Sequence, residues 1–297
     1  MQRRQYVKGA GIALAALSTA GCLGGDDGNG NGNGNGNGNG NGNGNGNGNG
    51  NGNGNGDDED ETIVIGSDIP YRPFEYYTED DELVGFDVEI AEAIFAGELG
   101  SEYEFQETAF DGIIQSLNNG NFRVIMSAMT ITEERAEQVD FSDPYFTAYQ
   151  TVVVPVDSDI ESQEDLRGQT VGVQRGTTGA GAADELQEEF DDDLEIDRYD
   201  QIPDAFQALL NGQVDAVIND NTVSAEFVNE NEDRVRFVEG EGVAEGEDAP
   251  DYLTLTVEEY GIAFRQDDDL VEDVNDALAA IRDSGEYDDI YDEYFLA

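Results

Sequence analysis

An unbroken Asn-Gly repeat divides this chain of 297 residues, running from residue 29 to residue 56. The repeat contains no apolar side chain and has glycine at every second position, so it has nothing to bury and much conformational entropy to lose on folding. As a flexible coil it would span about 30 Å on average. We therefore predict that residues 22–61 form a disordered tether and that the folded part of the chain begins at Thr62.

The residues before the repeat have the layout of an export signal, with a basic start, a short apolar run and small residues before a cysteine. The apolar run, residues 9–20, is too short to span a bilayer. The stretch RRQYVK resembles a twin-arginine motif, and TAGC resembles a lipobox, in which the cysteine carries a lipid. We predict a lipoprotein signal peptide over residues 1–21 and lipid attachment at Cys22. The alternative is an ordinary cleaved signal with an incidental cysteine.

The charge of the chain excludes several classes of partner. Lys and Arg number 13 against 68 Asp and Glu, which gives a formal net charge of −55. Such a surface repels nucleic acid, phosphates and anionic lipid headgroups. The acids are spread through every segment, which is typical of a protein adapted to high salt, where screening removes most of the self-repulsion.

The same composition excludes several kinds of chemistry. The chain has no histidine and one cysteine, and Lys8 is its only lysine. Imidazole bases, disulfides within the chain, thiolate clusters and lysine Schiff bases are therefore excluded. The acidic runs 191–193 and 267–269 lack the ligand spacing of a calcium loop, so we interpret them as solvated surface. No metal and no cofactor are predicted.

From Thr62 onward, short runs rich in β-branched and aromatic residues alternate with stretches of helical periodicity. The predicted strands are 62–66, 103–106, 124–129, 170–173, 195–199 and 214–218. The predicted helices are 88–99, 111–120, 182–190, 203–212, a short helix capped by Thr132, and two C-terminal helices separated at Gly285. This alternation predicts an α/β architecture with largely parallel sheets.

One cation in this acidic chain has no acid at helical spacing. The positions three and four residues away from Arg135 are Ile131, Thr132, Gln138 and Val139. Because only those positions share its helix face, the partner of Arg135 must lie elsewhere. A long-range structural salt bridge is one interpretation, and an anionic ligand is the other.

Two further features are candidates for a binding site. The segment GVQRGTTGAG, residues 172–181, follows a strand and precedes a helix, which is the setting of an anion-binding turn. Without a lysine it is a poor nucleotide loop, and a carboxylate fits it better. Several aromatic residues could form either core or ligand walls: Tyr71, Phe74, Phe110, Tyr145 and Phe146.

Six segments in a fixed order carry a family resemblance. They are GSDIPYRPFEY, GFDVEIAEAI, FDGIIQSL, MTITEERAEQVDFSDPYF, DLRGQTVGVQRGTT and GQVDAVINDN. Together they resemble the family 3 extracellular solute-binding proteins, the polar amino-acid receptors of ABC importers. The resemblance covers residues 62–295, essentially the whole predicted folded region.

The resemblance implies an α/β, two-lobed periplasmic-binding-protein-like fold of type II, in which the chain crosses between the lobes twice and the crossovers form a hinge. The implied divisions are lobe 1 over 62–146 and 258–297, lobe 2 over 151–250, and hinge segments 147–150 and 251–257.

The resemblance also implies a ligand site, with one role for each matched residue. Arg135 would bind the ligand carboxylate and Asp220 the ammonium group, while Asp68 would face the ligand side chain. Tyr71 and Phe110 would form aromatic walls. Backbone and hydroxyl groups beside the carboxylate would come from Ser127, Ala128, Thr130, Thr177 and Thr178. A zwitterion buried away from water needs one planar cationic donor and one carboxylate, which agrees with the two principal roles.

This sequence departs from the family pattern at two positions. Arg123 stands where the family usually has an acid, which affects local packing, and Ala128 stands where it commonly has glycine, which affects one backbone contact.

We therefore predict a monomeric receptor, not an enzyme, that is lipid-anchored on the outer face of the cytoplasmic membrane. It would bind an amino acid and deliver it to an ABC permease and its ATPase. One alternative is a cyclohexadienyl (arogenate or prephenate) dehydratase-like enzyme on the same scaffold, with carboxylates such as Asp68 as acid or base. Another is a sensory input subunit. The sequence does not identify the amino acid.

Overall fold

The computed structural model describes residues 62–240, 242–243 and 251–296. The predicted signal peptide, Cys22 and the Asn-Gly tether lie outside these residues. Among the residues that it describes, no helix is long and apolar enough to cross a membrane.

The described chain alternates strands and helices. The strands are β1 (Ile63–Ser67), β2 (Tyr76–Tyr77), β3 (Leu83–Val84), β4 (Tyr103–Glu107), β5 (Val124–Ile125), β6 (Asp140–Phe141), β7 (Phe146–Pro155), β8 (Thr170–Gln174), β9 (Glu195–Tyr199), β10 (Ala216–Asp220), β11 (Val235–Phe237), β12 (Thr254–Tyr260) and β13 (Ala263–Phe264). The α-helices are α1 (Phe86–Ala91), α2 (Ile113–Asn118), α3 (Glu133–Ala136), α4 (Thr178–Glu189), α5 (Ile202–Leu210), α6 (Asn221–Glu230), α7 (Leu270–Ser284) and α8 (Glu286–Phe295). A π-helical segment, Glu92–Glu98, continues α1, and short 3₁₀ segments are Phe110–Gly112 and Gln163–Leu166.

The strands form two larger sheets and one hairpin. The first sheet has the order β4-β1-β5-β13-β6, with β1 parallel to both β4 and β5 and with β13 antiparallel to its two neighbours. The second has the order β11-β7-β10-β8-β9, with β12 also paired to β7. In it β10, β8 and β9 are parallel, whereas β7 is antiparallel to β10, β11 and β12. The hairpin pairs β2 with β3.

The chain passes between the two larger sheets at two neighbouring strands. It enters the second sheet at β7 and leaves it through β12, and these strands pair antiparallel from Phe146 opposite Tyr260 to Thr151 opposite Thr254. The rings of Phe146 and Tyr260 stack with centroids 5.5 Å apart, and Phe295 of α8 lies 4.9 Å from Phe146. The C-terminal helix therefore packs on the start of β7, at the point where β7 pairs with the end of β12.

The structure differs from the predicted elements in three informative places. The predicted strand 124–129 ends at Ile125, because the backbone turns through a positive φ of 44° at Ala128. The predicted helix 182–190 begins earlier, at Thr178, where Thr177 accepts a capping hydrogen bond from the Ala180 N–H. The sheets are mixed instead of largely parallel, because β13 in the first sheet and β7 in the second run antiparallel to their neighbours.

The two departures from the family pattern have clear structural settings. Arg123 donates to Asp268 at 2.7 Å and to Asp269 at 2.6 Å, so it is held in an ion-pair group just before α7. The backbone N–H of Ala128 donates to Asp87 at 2.9 Å. One of the acidic runs that the sequence assigns to solvated surface thus supplies the partners of Arg123.

Candidate functional site

The site lies where four parallel strands end. β1 and β5 in the first sheet end just before Asp68 and the loop 126–130, whereas β8 in the second sheet ends before the turn to α4, and β10 ends at Asp220 itself. The loops that follow parallel strands gather at their carboxyl ends, where open α/β sheets bind ligands. The order of the strands in the sheets therefore brings together residues that are far apart in the sequence.

One cavity is lined by all ten residues that the sequence analysis assigned to a ligand site. They are Asp68, Tyr71, Phe110, Ser127, Ala128, Thr130, Arg135, Thr177, Thr178 and Asp220. Gln150, Gln174 and Asn219 also line it, and the sequence analysis missed these three. The cavity volume is about 20 Å³, which is enough for a water molecule and too little for an amino acid.

Arg135 is a buried cation at one end of this cavity, with 9% of its surface exposed. Its Nη1 donates to the Thr130 carbonyl at 2.7 Å, its Nη2 donates to the Gly176 carbonyl at 3.1 Å, and its Cζ lies 5.2 Å from the centre of the Phe110 ring. Burial lowers the pKa of the guanidinium below its usual value. Within residues 62–240, 242–243 and 251–296, no carboxylate forms an ion pair with it. The two carbonyls hold the guanidinium plane in place, and its charge is available to an anion.

Asp220 supplies a buried carboxylate from the second sheet, with 5% of its surface exposed. Its Oδ2 accepts a short hydrogen bond from the Tyr71 hydroxyl, and its Oδ1 accepts another from Gln150 Nε2. Burial first, and the nearby charge of Glu258 second, raise the pKa of Asp220 to about 7. A cation placed beside this carboxylate would favour its ionised form.

Asp68 supplies a second buried carboxylate, directly after β1, with 4% of its surface exposed. Its Oδ2 accepts a hydrogen bond from Gln174 Nε2 at the end of β8, so this contact joins the residue after β1 to a strand of the second sheet. Burial is the main cause that raises the pKa of Asp68 to about 6. The lining of the cavity therefore includes one cation, Arg135, and two buried carboxylates, Asp68 and Asp220.

The loop that follows β5 is held from behind by two fully buried carboxyl groups. Asp87 accepts the Ala128 N–H and also the Tyr145 hydroxyl at 2.8 Å, and Glu75 accepts the Ser127 hydroxyl at 3.0 Å. Burial raises the pKa of Asp87 to about 6 and raises that of Glu75 well above its usual value. These contacts hold the loop in the positive-φ turn that faces the cavity.

The two threonines at the start of α4 have different surroundings. The Thr177 hydroxyl accepts the Ala180 N–H at 3.1 Å as the helix cap, and it donates its proton to the Gln174 carbonyl at 2.8 Å. The Thr178 hydroxyl instead donates to Glu258 at 2.8 Å. The anion-binding turn predicted over 172–181 is therefore a capped helix start whose Thr177 hydroxyl is already engaged.

Glu258 is a further polar residue that the sequence analysis missed. It lies in β12 with only 6% of its surface exposed, although it is an acid in a strand with the sequence TLTVEEY. The alternation of Thr256, Glu258 and Tyr260 on one strand face was the available signal. It was masked because acids are frequent on every segment of this chain.

The chain was compared with protein families and with curated relatives. The model of the bacterial extracellular solute-binding proteins, family 3, matches residues 63–297. A probable histidine-binding protein of Neisseria gonorrhoeae is 36% identical over 234 residues, which cover 78% of this chain and 82% of the relative. The arginine-binding extracellular protein ArtP of Bacillus subtilis (strain 168) is 36% identical over 235 residues, covering 78% of this chain and 86% of ArtP.

Solved structures give the same result. An ancestral arginine-binding protein bound to arginine matches with a TM-score of 0.71 and 41% identity, over 79% of this chain and 98% of that protein. An ancestral amino acid-binding protein, a precursor of cyclohexadienyl dehydratase, matches with a TM-score of 0.69 and 37% identity, over 79% of this chain and 95% of that protein. The predicted fold class, a two-lobed α/β fold of the periplasmic-binding-protein type, is confirmed. This chain belongs to the family 3 bacterial extracellular solute-binding proteins.

Proposed function

We propose that this protein binds an amino acid with a cationic side chain in the cavity around Arg135 and delivers it to an ABC importer. The observation that carries the proposal is the meeting of one buried arginine with buried carboxylates from both larger sheets. Histidine- and arginine-binding proteins among the relatives support a cationic side chain.

Each charged group has a complementary group on such a ligand. We infer that Arg135 binds the α-carboxylate, since a planar guanidinium matches two carboxylate oxygens. Asp220 binds the α-ammonium group, and Asp68 pairs with the cationic side chain between Tyr71 and Phe110. The loop residues Ser127, Ala128 and Thr130, with Thr177 and Thr178 from α4, complete the site, and Thr177 contributes through its backbone.

The proposal includes opening and closing of two lobes. We infer lobe 1 over 62–146 and 258–297 and lobe 2 over 151–250, with hinge segments 147–150 and 251–257. The assignment of β1 and β5 to one sheet and of β8 and β10 to the other supports this division. The cavity is too small for an amino acid in the described conformation, so the ligand enters when the lobes separate and is enclosed when they close.

A thermal-shift screen of amino acids in molar salt tests the function directly. Arginine, lysine and histidine are expected to raise the unfolding midpoint, since a ligand that binds only the folded state stabilises it. Glutamate and aspartate are expected to leave it unchanged and serve as controls of equal ionic strength. Stabilisation by acidic amino acids alone, or by none, would reject the proposal.

The enzyme alternative has less support, although the ancestral precursor of cyclohexadienyl dehydratase shares the fold. In that alternative, the buried carboxylates of the cavity described above would act as acid or base on a cyclic substrate. Recovery of the unaltered amino acid after incubation supports the receptor, whereas release of a dehydrated product from arogenate or prephenate supports the enzyme.

Arginine is expected to bind about tenfold or more tightly at about pH 8 than at about pH 6. Asp220 and Asp68 must be ionised to pair with cations, and burial raises the pKa of Asp220 to about 7 and that of Asp68 to about 6. Below these values the unliganded protein holds protons that binding must displace, so affinity falls as the pH falls. Calorimetry at both pH values measures this, because the guanidinium of arginine keeps its charge throughout the range.

The variant Asp220→Asn is the control for this pH dependence. It binds arginine more weakly at both pH values, and its remaining pH dependence is smaller because one titrating group is gone. Equal affinities of the unmodified protein at both pH values would contradict the assigned roles of these carboxyls.

We propose that Cys22 carries a lipid that anchors the protein on the outer face of the cytoplasmic membrane, after twin-arginine export and removal of residues 1–21. The anchored receptor acts as a monomer beside its permease and ATPase. The lipobox-like TAGC and the long Asn-Gly tether support this proposal. A sensory input subunit would share these features, and identifying the membrane partner by crosslinking separates the two roles.

Replacing Cys22→Ser is expected to move the protein from the membrane fraction to the medium, because the lipid and its thioether attachment to the cysteine are lost. Fractionation of cells that produce either form, in molar salt, measures this. Ser18→Ala is the matched control, since it lies in the same segment without the attachment site. An unchanged membrane fraction for Cys22→Ser would reject the anchor.

A further inference from the structure

Glu258 is a buried carboxylate beside the cavity, and it lines an adjoining cavity that shares Thr130 and Arg135 with the site. Its side-chain oxygens accept several hydrogen bonds. Its Oε2 accepts from the Thr130 hydroxyl at 2.7 Å, from the Thr178 hydroxyl at 2.8 Å and from Gln150 Nε2 at 3.3 Å, while its Oε1 accepts from the Thr256 hydroxyl at 2.9 Å. These donors come from the loop after β5, from α4 and from both crossover strands. Glu258 thus joins elements of both larger sheets directly behind the residues that line the ligand cavity.

The carboxylate determines what the two threonine hydroxyls can offer to a ligand. A hydroxyl has one proton, and Thr130 and Thr178 both give theirs to Glu258. Their oxygens lie 3.3 Å apart and keep lone pairs as their remaining hydrogen-bonding capacity. These oxygens can therefore accept from a ligand ammonium group, and they cannot donate to a ligand carboxylate.

Gln150 shows that an N–H donor fits beside the Thr178 hydroxyl oxygen and the Glu258 carboxylate. Its Nε2 is a hydrogen-bond donor to Asp220 Oδ1, and it lies 3.3 Å both from Thr178 Oγ1 and from Glu258 Oε2. The amide nitrogen is thus surrounded by two carboxylates and a hydroxyl oxygen. An ammonium nitrogen has the same donor chemistry, with a positive charge that both carboxylates stabilise.

We propose that Glu258 is part of the site for the ligand's α-ammonium group, where it takes the hydroxyl protons of Thr130 and Thr178 and adds a second negative charge beside Asp220. The inference rests on the proposed function and deepens it. It assigns the threonine hydroxyls to the ammonium end of the ligand and leaves the α-carboxylate to Arg135 and backbone N–H groups.

The test compares arginine with arginine that lacks its α-amino group, by calorimetry in molar salt. Glu258→Gln is expected to weaken arginine binding about tenfold or more, because the amide is neutral and can donate to the threonine oxygens. The affinity for the des-amino analogue, measured by competition, is expected to change by less than about twofold. The reason is that the analogue has no ammonium group whose contacts could be lost. Glu259→Gln removes the same charge from the neighbouring exposed position and is expected to change neither affinity.

A second set of variants keeps the proposal testable with arginine alone. Thr130→Val removes one of the hydroxyls, and its loss of arginine affinity is expected to be non-additive with that of Glu258→Gln, since both act on one ammonium group. Thermal unfolding confirms that each variant is folded. Should Glu258→Gln fail to fold, Thr130→Val with the two ligands provides the same comparison.

The outcomes separate the two proposals. If the unmodified protein binds no cationic amino acid, the proposed function fails. If it binds arginine but Glu258→Gln leaves that affinity unchanged, or weakens both ligands equally, Glu258 has no role at the ammonium group. Additive losses in the double variant would likewise overturn the inference.

Discussion

Replacing Arg135→Ala is expected to abolish high-affinity amino-acid binding while the protein stays folded. The expected loss of binding free energy is roughly 2–5 kcal/mol, which corresponds to an affinity that is about thirtyfold to several thousandfold weaker. The physical reason is that a ligand carboxylate enclosed in this cavity would lose its charged partner and remain without water. Folding is expected to survive, because the guanidinium donates to two backbone carbonyls and forms no ion pair within the described residues.

The variant Arg135→Lys separates charge from geometry. It keeps the positive charge but cannot make a two-pronged contact with a carboxylate, so it is also expected to bind poorly. Arg198→Ala is the matched control, since it removes an arginine that pairs with the surface residue Asp184. Calorimetry in molar salt measures all three affinities, and thermal unfolding checks that each variant is folded.

The same account predicts coupling between the two ends of the ligand. Asp220→Asn is expected to weaken binding, and the double variant with Arg135→Ala should lose less than the sum of the single losses, because either loss prevents the closure that both contacts serve. If Arg135→Ala unfolds the protein while Asp220→Asn binds normally, Arg135 is a structural residue and the assignment is wrong.

The second large effect is expected from salt. The protein should lose cooperative folding, or several kcal/mol of stability, when potassium chloride falls from about 3 M to about 0.1 M. The acidic groups that give the net charge of −55 repel one another. The Debye length rises from about 3 Å or less in molar salt to about 10 Å in dilute salt, so this repulsion is less screened there. For a domain of this size, the unfolding midpoint would fall by about 10 °C or more.

The described residues contain little that could offset this repulsion. Their ion pairs are six contacts made by five arginines, and each of these arginine side chains is at least 34% exposed. Exposed pairs of this kind contribute about 0–1 kcal/mol each. Screening by added salt is therefore the main compensation for the repulsion among the acidic groups. This agrees with adaptation to high salt, which stays a prediction.

Sucrose is the control for the salt prediction. It stabilises folded proteins by exclusion from their surface without screening charge. Scanning calorimetry at low ionic strength with sucrose is expected to recover only part of the midpoint that molar salt restores. An unfolding midpoint that is equal at both salt concentrations would contradict the electrostatic argument.

The two charged end groups of the site were predicted on different grounds. Arg135 was singled out because it lacks an acid at helical spacing, whereas Asp220 was assigned only by the family resemblance. The family blocks then placed both residues, with the other eight predicted residues, and the structure brings all ten to one cavity. Their roles in binding stay predictions.

The residues that were missed obey the local rules of their strands. Gln150, Gln174 and Asn219 lie in strands whose polar positions could face either solvent or the cavity, and only the pairing of β7, β8 and β10 decides between them. Glu258 was hidden among the abundant acids. The shorter β5 was also missed, because its early end depends on Asp87, far away in the sequence, which binds the turn at Ala128.

Amino-acid binding without chemical change is best tested by calorimetric titration of arginine into the unmodified protein, in molar salt, followed by release and identification of the bound molecule. We expect saturable binding at one site per chain, competition by lysine or histidine, and recovery of unaltered arginine. Absence of saturable binding by any cationic amino acid, or recovery of a chemically changed ligand, would show that the protein is not such a receptor.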